Sequence, residues 1–381
     1  MQASTQILPG NTQPTSTQNS ELRLVSAQKA MSPAFLDAWK KLAARAAEPN
    51  PFFGQWFAGP SLEQFAIGED YTIAAYWNGG ELAGVLPLVR SSDYYGHPLP
   101  HMSSWLHDNA FNGAPLVAKG CEKGFWTALF QCLDSAPGPA LFLHLPALPE
   151  RGALNTALAL TLETVRRPAA IVERKERAML ASSLTAQEYL EASMTQKRRK
   201  ELRRLRKRLS ELGDLTFERL EGNERLEPWI EQFLTLEAAG WKGVAGSALK
   251  SNAASYAFFA DTMYGAAQAR SLERLALRLD GKPIAMLVNF ITAPGAYSFK
   301  TAFDEDYARF SPGLLLQIEN LAMLSREDIE WTDSCAIQGH SMIERIWCEK
   351  REFISRNIAI GGSIRRLTAR ALMAFETRER S

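Results

Sequence analysis

The 381-residue sequence contains little cysteine and little histidine, with four of the former and five of the latter. Cys121, Cys132, Cys335 and Cys348 form no CxxC pair and have no zinc-type spacing to histidine. Structural zinc sites and disulfide frameworks need clustered or regularly spaced cysteines, so neither is expected and no metal is predicted. Few, scattered cysteines are typical of a reducing compartment, and we expect a cytoplasmic protein.

The sequence also lacks a charge excess and a long apolar run. Lys plus Arg number 43 and Asp plus Glu number 42, so no bulk charge attracts nucleic acid. No apolar stretch approaches the roughly 18 residues that a transmembrane helix needs. Residues 1–20 are polar, without the apolar segment of a signal peptide, and we expect a disordered tail. The length favours two domains over one.

Strand-period and helix-period stretches alternate along the chain and predict an α/β protein with a mixed sheet. The order strand, helix, hairpin, helix, strand, helix, strand is predicted twice. The two hairpins turn at similar sequences, one at Asn78-Gly-Gly and one at Asp280-Gly. We therefore expect two copies of one α/β unit. The predicted organisation is a tail at 1–20, a first copy at 21–180, a basic connecting helix at 181–213 and a second copy at 214–381.

The basic connecting helix is predicted to run unbroken from a capping box at Thr185 and Glu188 to Gly213. Leucines recur at helical spacing along it, and between Lys197 and Arg208 nine cations stand beside one acid. Three interpretations of these cations are open. They form a solvated face of the helix, they bind phosphate groups of a substrate, or they contact RNA or an anionic membrane. Aromatic residues do not interleave them, which weakens the nucleic-acid interpretation. Three of them are predicted to bind substrate: Arg199, Arg203 and Arg206.

A strand, a loop and a helix are predicted between residues 297 and 316. The strand is aromatic and alternating, and the helix begins at Pro312-Gly313 with Ser311 as N-cap. A helix N-terminus offers free amides and a positive dipole end, so it can hold a phosphate group. Gly313 would let a ligand approach the backbone closely. The alternative is a capped core helix without a ligand.

Several blocks of the second half occur together in one known family. They are Lys197–Arg204, Leu236-Glu237, Trp241-Lys242-Gly243, Gly246–Leu249, Phe310–Leu315 and then Asp333, His340 and Trp347. With these blocks and the order of its elements, almost the whole chain resembles the GNAT acyltransferase superfamily. The resemblance is to its bacterial CelD-like branch, whose fold relatives are the FemAB peptidyl transferases. It implies a tandem GNAT-like fold, with a degenerate first copy and a donor-binding second copy.

The resemblance implies acyl-CoA, such as acetyl-CoA, as co-substrate, and an amine or hydroxyl acceptor of polysaccharide or cell-envelope metabolism. The implied donor-binding residues are Phe299, Lys300, Thr301, Arg309, Ser311, Gly313, Leu314 and Leu315. A strand amide at 299–301 would polarise the thioester carbonyl. Pro312 removes one amide that the usual GNAT loop offers to the pyrophosphate. FemAB relatives use aminoacyl-tRNA, so aminoacyl or peptidyl transfer is the alternative. A non-catalytic binding protein of exopolysaccharide assembly is the third interpretation.

The predicted reaction is direct attack, for which an acceptor amine must lose a proton. We expect His340 to be the base and Asp333 to orient it, with Glu237 as the alternative base. Lys350 lies in a Lys-x-x-Phe pattern that resembles FemAB, where it would stabilise the oxyanion. Trp241 and Lys242 stand at a helix end before a glycine-rich loop, and we expect them to line the acceptor cleft.

Overall fold

We describe the fold from a computed structural model, which places residues 20–68 and 70–379. The predicted tail therefore lies outside the described residues except for Ser20, which begins the first strand. The strands are β1 Ser20–Ser26, β2 Tyr71–Asn78, β3 Glu81–Ser91, β4 His101–Ser104, β5 Leu116–Val117, β6 Phe142–Pro149, β7 Ala169–Leu180, β8 Leu215–Glu221, β9 Leu272–Leu279, β10 Lys282–Thr292, β11 Gly295–Phe303, β12 Trp331–Asp333 and β13 Glu349–Ala359. The α-helices are α1 Ala27–Ala30, α2 Pro33–Ala43, α3 Gln55–Phe65, α4 Glu122–Ser135, α5 Ala153–Thr164, α6 Ala186–Ser193, α7 Gln196–Ser210, α8 Leu226–Ala239, α9 Trp241–Val244, α10 Ala253–Gln268, α11 Pro312–Glu319 and α12 Ser363–Glu379.

The strands form one mixed sheet, as the sequence predicts, in the order β1-β2-β3-β4-β6-β13-β7-β12-β11-β10-β9-β8, with β5 paired to β3. The last strand of the chain, β13, lies between β6 and β7, and β7 in turn borders β12. The two halves of the chain therefore interleave at the centre of the sheet. The division at 180 and 214 stays a prediction, because the sheet runs continuously across it.

Each half contains one short parallel contact between strands. In the first half, β4 meets β6 only at Met102–Ser103, and in the second, β11 meets β12 only at Gly295–Tyr297. Beyond Tyr297, β11 continues to Phe303 without pairing to β12. The sheet thus opens on one side of β11, which leaves that edge of the strand available to a ligand or to loops.

The predicted hairpins are present as β2–β3 and β9–β10. Gly79 and Gly80 have positive φ angles of 60° and 82°, and Asp280 and Gly281 have 50° and 78°. Two consecutive residues with positive φ are the conformation of the tight hairpin turn that matches strand twist. These turns explain why both hairpins could be located from the sequence.

An aromatic core joins the two halves. Helix α3 of the first half packs against α10 of the second, where the ring centroids of Phe57 and Phe258 lie 5.2 Å apart. Phe52 contacts Tyr297 at 5.3 Å and Phe299 at 6.3 Å. Edge-to-face contacts of this kind add to the stabilisation from buried area. Strand β11 is therefore held on one face by side chains from both halves.

The basic segment is two helices, so the prediction of one unbroken helix is wrong. Met194 is extended between α6 and α7, and the Thr195 side chain accepts a hydrogen bond from the amide of Arg198 as a new N-cap. Arg199 Nη1 donates to the carbonyls of Glu191 and Met194 at 2.9 and 2.6 Å. These bonds satisfy backbone groups that a break would otherwise expose. The capping box at Thr185 and Glu188 is confirmed.

Helix α11 begins at Pro312 as predicted, but Ser311 does not cap it with its side chain. A 3-10 turn at Glu305–Phe310 precedes the helix, and Ser311 takes a left-handed conformation with φ 54° to leave that turn. An N-cap side chain needs an extended backbone to reach the second or third amide, which explains the missing bond. The first helical turn is capped by backbone alone, with Leu315 N donating to Ser311 O at 3.0 Å.

Candidate functional site

Strand β11 carries a bulge at the predicted donor-binding residues. Ser298 pairs with Asn289, and Lys300 pairs with Val288, so Phe299 has no partner across the ladder. A bulge of this kind leaves backbone groups of the extra residue outside the regular pairing. It lies just beyond the point where β11 and β12 separate. The strand therefore offers unpaired backbone where an acyl carbonyl is expected.

At the N-terminus of α11, the predicted pyrophosphate site, protein side chains pack closely beside Gly313. A Cβ atom at Gly313 would lie 3.2 Å from Met342 Sδ and 3.3 Å from Phe303 Cδ1. Pro312 has no N–H, and Leu315 N is bonded to Ser311 O, which leaves the amides of Gly313 and Leu314 as the free donors of this turn. Gly313 thus allows close packing of protein side chains in this conformation, in place of the expected ligand.

The remaining predicted donor residues surround this turn. The guanidinium group of Arg309 lies 4.8 Å from the centre of the Phe310 ring. The Thr301 hydroxyl accepts a hydrogen bond from Gln317 Nε2 at 3.4 Å. Leu314 and Leu315 are buried in the core that α11 shares with α7. These residues therefore position β11 and α11 relative to each other.

The side chain of Lys300 lies in a charged cluster that the sequence did not predict. Burial, and then the positive charge of Lys242, lowers the pKa of Lys300, and Glu237, Cys335 and Asp108 act in the opposite direction, so that the pKa is about 8. The Nζ atom is 5.3 Å from the centre of the Phe299 ring. A buried amine beside a second cation favours its neutral form, which accepts a proton.

Glu237, the predicted alternative base, is buried and already paired. Its Oε1 atom accepts a hydrogen bond from Lys242 Nζ at 2.7 Å, and its Oε2 atom accepts from Leu249 N at 2.8 Å. The carboxylate therefore anchors Lys242 and the loop after α9. Trp241 is 62% exposed, and its amide donates to Glu305 Oε1 at 2.7 Å. This places the indole ring at the surface beside the 3-10 turn that leads to α11.

The first half of the chain contributes the opposite wall. His107 Nε2 lies 3.0 Å from Ser61 Oγ, and its ring packs against Phe57 and Phe65. Burial, and then the charge of Lys300, lowers the pKa of His107 to about 3, so the ring stays neutral at physiological pH. The loop that holds His107 and Asp108 thus reaches Lys300 from the first half.

Asp333 does not orient a histidine. It is fully buried, and its Oδ2 atom accepts hydrogen bonds from Arg177 at 2.9 Å and Arg351 at 3.2 Å. Its Oδ1 atom accepts from Cys335 N at 2.9 Å. Arg177 Nη1 also donates to Phe111 O at 2.7 Å. Asp333 therefore ties β7, β12 and β13 to the loop of the first half.

The predicted catalytic residues are not brought together by direct contacts. Glu237 pairs with Lys242, Asp333 with the two arginines, and Lys350 Nζ with Glu344 at 3.1 Å. The buried Nδ1 atom of His340 has no hydrogen-bond partner in the part of the chain that the structure describes. The sequence indicated Lys300 only as a donor-binding residue of an aromatic strand, and no local signal marked it as a proton acceptor.

The three predicted substrate-binding arginines of α7 differ in their surroundings. Arg199 bonds to the end of α6, and Arg206 Nη1 donates to Glu319 Oε1 at 2.7 Å. Arg203 is exposed, and within residues 20–68 and 70–379 it forms no ion pair. Four other exposed cations of the helix and the half-buried Arg198 likewise form no ion pair within that range; the four are Lys197, Lys200, Lys207 and Arg208.

Two neighbouring cavities are lined by residues that act electrostatically on Lys300, although Lys300 itself lines neither. One, of about 480 Å³, is lined by Phe111, Arg177, Cys335, Ile337 and Phe353, among others. The second, of about 530 Å³, is lined by Tyr94, Ser103, His107 and Asp108, among others. Tyr95 and Pro146 line both, so the two cavities adjoin. Cys335 of one cavity and Asp108 of the other both shift the pKa of Lys300.

Two features are absent from the part of the chain that the structure describes, namely a cluster of metal-binding side chains and a membrane-spanning helix. Between residues 20 and 379, Glu69 aside, no three His, Cys, Asp or Glu side chains are arranged to hold a metal ion. No described helix is both long enough and apolar enough to cross a bilayer.

Comparison with known proteins supports the fold. Residues 196–339 match the family model described as Acetyltransferase (GNAT) domain. No curated protein sequence matches the chain. The structure of FemX aligns with a TM-score of 0.54 at 12% identity, over 89% of this chain and 97% of that chain. A conserved protein of unknown function from Bacteroides thetaiotaomicron VPI-5482 aligns with a TM-score of 0.55 at 11% identity, over 87% and 98%.

A third solved structure is the C-terminal domain (DUF2156) of a putative lysylphosphatidylglycerol synthetase from Agrobacterium fabrum. It aligns with a TM-score of 0.51 at 14% identity, over 87% of this chain and 94% of that chain. At such identities the likeness shows the fold alone. The predicted GNAT fold with its mixed sheet is confirmed, and the match to the family model is confined to residues 196–339. Membership of the CelD-like branch stays a prediction.

Proposed function

We propose that this protein is an acyltransferase that moves an acyl group from acyl-CoA to an acceptor amine by direct attack, at Lys300 and the bulge of β11. The observation that carries the proposal is the position of Lys300, an amine with its pKa lowered to about 8, next to the backbone bulge of β11. The GNAT domain match includes this strand. An acyl-CoA donor is consistent with a cytoplasmic reaction.

Lys300 is the proposed general base. An acceptor amine is mostly protonated near neutral pH and must lose a proton to attack. A lysine whose pKa lies near the working pH is well suited to remove it. The acceptor nitrogen forms a bond to the thioester carbon, its proton passes to Lys300 Nζ, and the C–S bond breaks to release the CoA thiolate. An unpaired amide at Phe299 would stabilise the negative oxygen of the intermediate.

The proposed pyrophosphate site remains the first turn of α11. Two amides, those of Gly313 and Leu314, point out of that turn, and the helix dipole favours an anion there. Met342 packs beside Gly313, with its Sδ atom 3.2 Å from where a Cβ atom would lie, and so borders this turn. Donor binding is therefore proposed to displace the segment that carries Met342, with Arg309 as the nearest basic side chain of the turn.

Aminoacyl transfer from aminoacyl-tRNA is the second candidate. It is favoured by the six cations of α7 that form no ion pair with any described residue, and by the small number of free amides at Pro312–Leu315. Phosphates along an RNA strand bind such exposed cations, and that binding weakens steeply with salt. Acyl-CoA and aminoacyl-tRNA are tested in separate assays, so the donor that supports turnover distinguishes the two candidate functions.

The full chain should be tested by native mass spectrometry and by thiol release with a panel of acyl-CoA donors and amine acceptors. Lys300→Met should reduce kcat/KM by about 10²- to 10⁴-fold, as loss of a general base does. Its affinity for acyl-CoA should stay unchanged. Lys119→Met is the matched control, because Lys119 is exposed and lines neither cavity. A folded protein that binds no acyl-CoA would refute the proposal, and binding without turnover would leave only a binding protein.

A further inference from the structure

The bulge of β11 determines the face of the sheet to which Lys300 points. In a regular strand, consecutive side chains point to opposite faces. Lys300 pairs with Val288, and paired residues of neighbouring strands share a face. Val288 and Phe299 lie in the same buried cluster, so Phe299 and Lys300 are on one face although they are consecutive. The bulge therefore turns Lys300 towards this face.

Four elements bring charged or titratable side chains towards Lys300. They are Glu237 of α8, Lys242 of α9, Cys335 after β12 and Asp108 of the first half. The neutral ring of His107, beside Asp108, is also affected by the charge of Lys300. A Lys300 side chain on the other face of the sheet would lose these neighbours. The bulge thus fixes the surroundings on which the proposed role of Lys300 depends.

A chain of buried amides lies behind the bulge, on the face of the sheet that packs against α11. Asn289 pairs with Ser298 immediately before the bulge. Its Nδ2 atom donates to Asn320 Oδ1 at 2.7 Å and to Glu273 Oε1 at 2.9 Å. Asn320 Nδ2 donates in turn to Gln317 Oε1 at 3.4 Å. The chain therefore leads from β9 across β10 to α11.

Gln317 connects this chain to both sides of the bulge. Its Nε2 atom donates to Ser298 Oγ at 3.5 Å and to Thr301 Oγ1 at 3.4 Å. These two hydroxyls belong to the residues that directly flank Phe299 and Lys300. One side chain of α11 therefore spans the bulge from behind.

Stability alone does not require this network, because α11 already packs on the sheet through an apolar core. Asn289, Asn320 and Gln317 are buried, and taking an amide out of water costs free energy that its hydrogen bonds offset. The far end of the network is fixed, since Glu273 pairs with Arg219 Nη1 at 2.7 Å. A connected buried network holds its members in one geometry. Here the member at the other end is the bulge.

We infer that Gln317 is a positioning residue of the proposed transfer, which holds the β11 bulge so that Lys300 stays on the face of Glu237. This inference rests on the proposed role of Lys300 as general base. Gln317 is buried on the opposite face, so it acts through the hydroxyls beside the bulge and not by contact with a substrate. A misplacement of about 1 Å at a reacting group can cost about 10²-fold in rate.

Gln317→Leu removes both hydrogen bonds to the bulge at similar side-chain volume. It should lower kcat by up to about 10²-fold and leave KM for acyl-CoA near the wild-type value. The pH midpoint of kcat/KM should rise from about 8, because a Lys300 side chain that leaves the buried cluster regains water and a higher pKa. A folded Gln317→Leu protein with wild-type kcat and an unchanged pH midpoint would overturn the inference.

Thr301 offers a second test at a half-buried position, where a substitution perturbs the fold less. Thr301→Val removes the hydroxyl and keeps the shape of the side chain, whereas Thr301→Ser keeps the hydroxyl. Thr301→Val should shift the pH midpoint in the same direction as Gln317→Leu, and Thr301→Ser should restore the wild-type value. Equal behaviour of the two Thr301 variants would contradict the inference, even if Gln317→Leu does not fold.

Asn357→Leu is the matched control. Asn357 is also a buried amide, but it lies on β13 and donates to Tyr94 Oη and Glu376 Oε2. Its replacement should lower the free energy of unfolding, measured in urea, and leave the pH midpoint unchanged. An equal shift of the midpoint in Asn357→Leu would show that any loosening of the sheet moves Lys300, against the inference.

The protonation of Lys300 is also measured without turnover. NMR of protein with ¹³C-labelled lysine side chains follows its titration, and the signal is assigned by its absence in Lys300→Arg. A midpoint that rises in Gln317→Leu, in a protein that turns over no acyl-CoA, would uphold the positioning of Lys300 and refute the proposed acyl transfer. Turnover of acyl-CoA with the same Lys300 midpoint in wild type and Gln317→Leu would support the transfer and overturn this inference.

Discussion

Arg177 and Arg351 lie opposite each other on β7 and β13, and both donate to the same oxygen atom of Asp333. Two like charges on facing positions of a sheet repel, so the buried carboxylate between them is required for this arrangement. Arg177 also stacks 3.8 Å from the centre of the Phe353 ring, and Arg351 lies 4.0 Å from that of Trp331. The interleaved centre of the sheet is therefore stabilised by one buried ion cluster.

Asp333→Asn should lower the free energy of unfolding by roughly 3–5 kcal/mol, because it leaves two buried guanidinium groups without their counter-charge. Urea unfolding at pH 7 measures the change. Asp328→Asn is the control, since Asp328 is about half exposed and pairs with Arg326 at the surface. Such a surface pair contributes about 0–1 kcal/mol. Equal losses in both variants would show that the cluster has no special role.

The pH dependence of kcat/KM should report Lys300. If the neutral amine is the base, activity is low below pH 7, rises through the pKa of about 8, and levels off above it. Lys300→Met should remove this rising limb together with most of the rate. His340→Ala should keep both, since the structure places no catalytic partner at that ring. If only His340→Ala loses the limb, the base is His340 and not Lys300.

Glu237→Gln should move the same limb to lower pH. The negative charge of Glu237 raises the pKa of Lys300, so its removal makes the neutral amine more accessible. Glu237 does not supply the proton acceptor in this proposal, and the plateau rate should change less than in Lys300→Met. The full pH profile of each variant provides the measurement. Loss of all turnover in a folded Glu237→Gln protein would instead identify Glu237 as the base.

Lys300 should also destabilise the fold at neutral pH. Its pKa is about 8 in the folded protein and near 10.5 when unfolded, so the unfolded state binds more protons between these values. The contribution of Lys300 to the free energy of unfolding is therefore least favourable below pH 8. Because of this residue, the stability of the wild-type protein should increase from pH 8 to pH 10. Lys300→Met should be more stable than wild type at pH 7, with a difference that shrinks by pH 10. Urea unfolding at both pH values tests this, with Lys119→Met as control.

The local elements could be predicted from the sequence, because their signals lie within a few residues. The alternation from Tyr297 to Phe303 and the Pro312-Gly313 start gave β11 and α11. The break at Met194 was missed because the leucine spacing continues across it. Only Thr195, an N-cap residue in the middle of the pattern, indicated a second helix.

The site depended on contacts between distant parts of the chain, which no local pattern contains. Asp333 and His340 are close in sequence, yet Asp333 is held by Arg177 and Arg351 from other strands. The cluster at Lys300 combines Asp108 of the first half with Glu237 and Lys242 of the second. The position of β13 between β6 and β7 is likewise a non-local pairing that the sequence did not reveal.

Met342→Ala should strengthen acyl-CoA binding by about fivefold, or about 1 kcal/mol, if Met342 covers the amides that hold the pyrophosphate. Gly313→Val should weaken binding, but its side chain would also press on Met342 and Phe303, so its stability must be measured first. The double variant, Gly313→Val with Met342→Ala, separates the effect on stability from the effect on binding. It removes the contact between the valine and Met342, while the valine still obstructs the approach of a ligand to this turn. A double variant with wild-type affinity would exclude this turn as the donor site.

The basic helix requires a redesigned test, because two of its three predicted substrate-binding arginines have structural partners. Arg199→Gln would free the end of α6, and Arg206→Gln would break the bond to Glu319, so a loss of activity in either variant would be ambiguous.

Lys200, Arg203 and Lys207 are exposed and, within the described part of the chain, form no ion pair. Their triple change to Gln should raise KM for an anionic substrate and flatten its salt dependence, because fewer counterions are released on binding. Steady-state kinetics at two salt concentrations measures both effects. Circular dichroism of the triple variant and of Arg199→Gln checks that only the latter loses helix. Unchanged KM and unchanged salt slope in a folded triple variant would mean that these cations only solvate the helix.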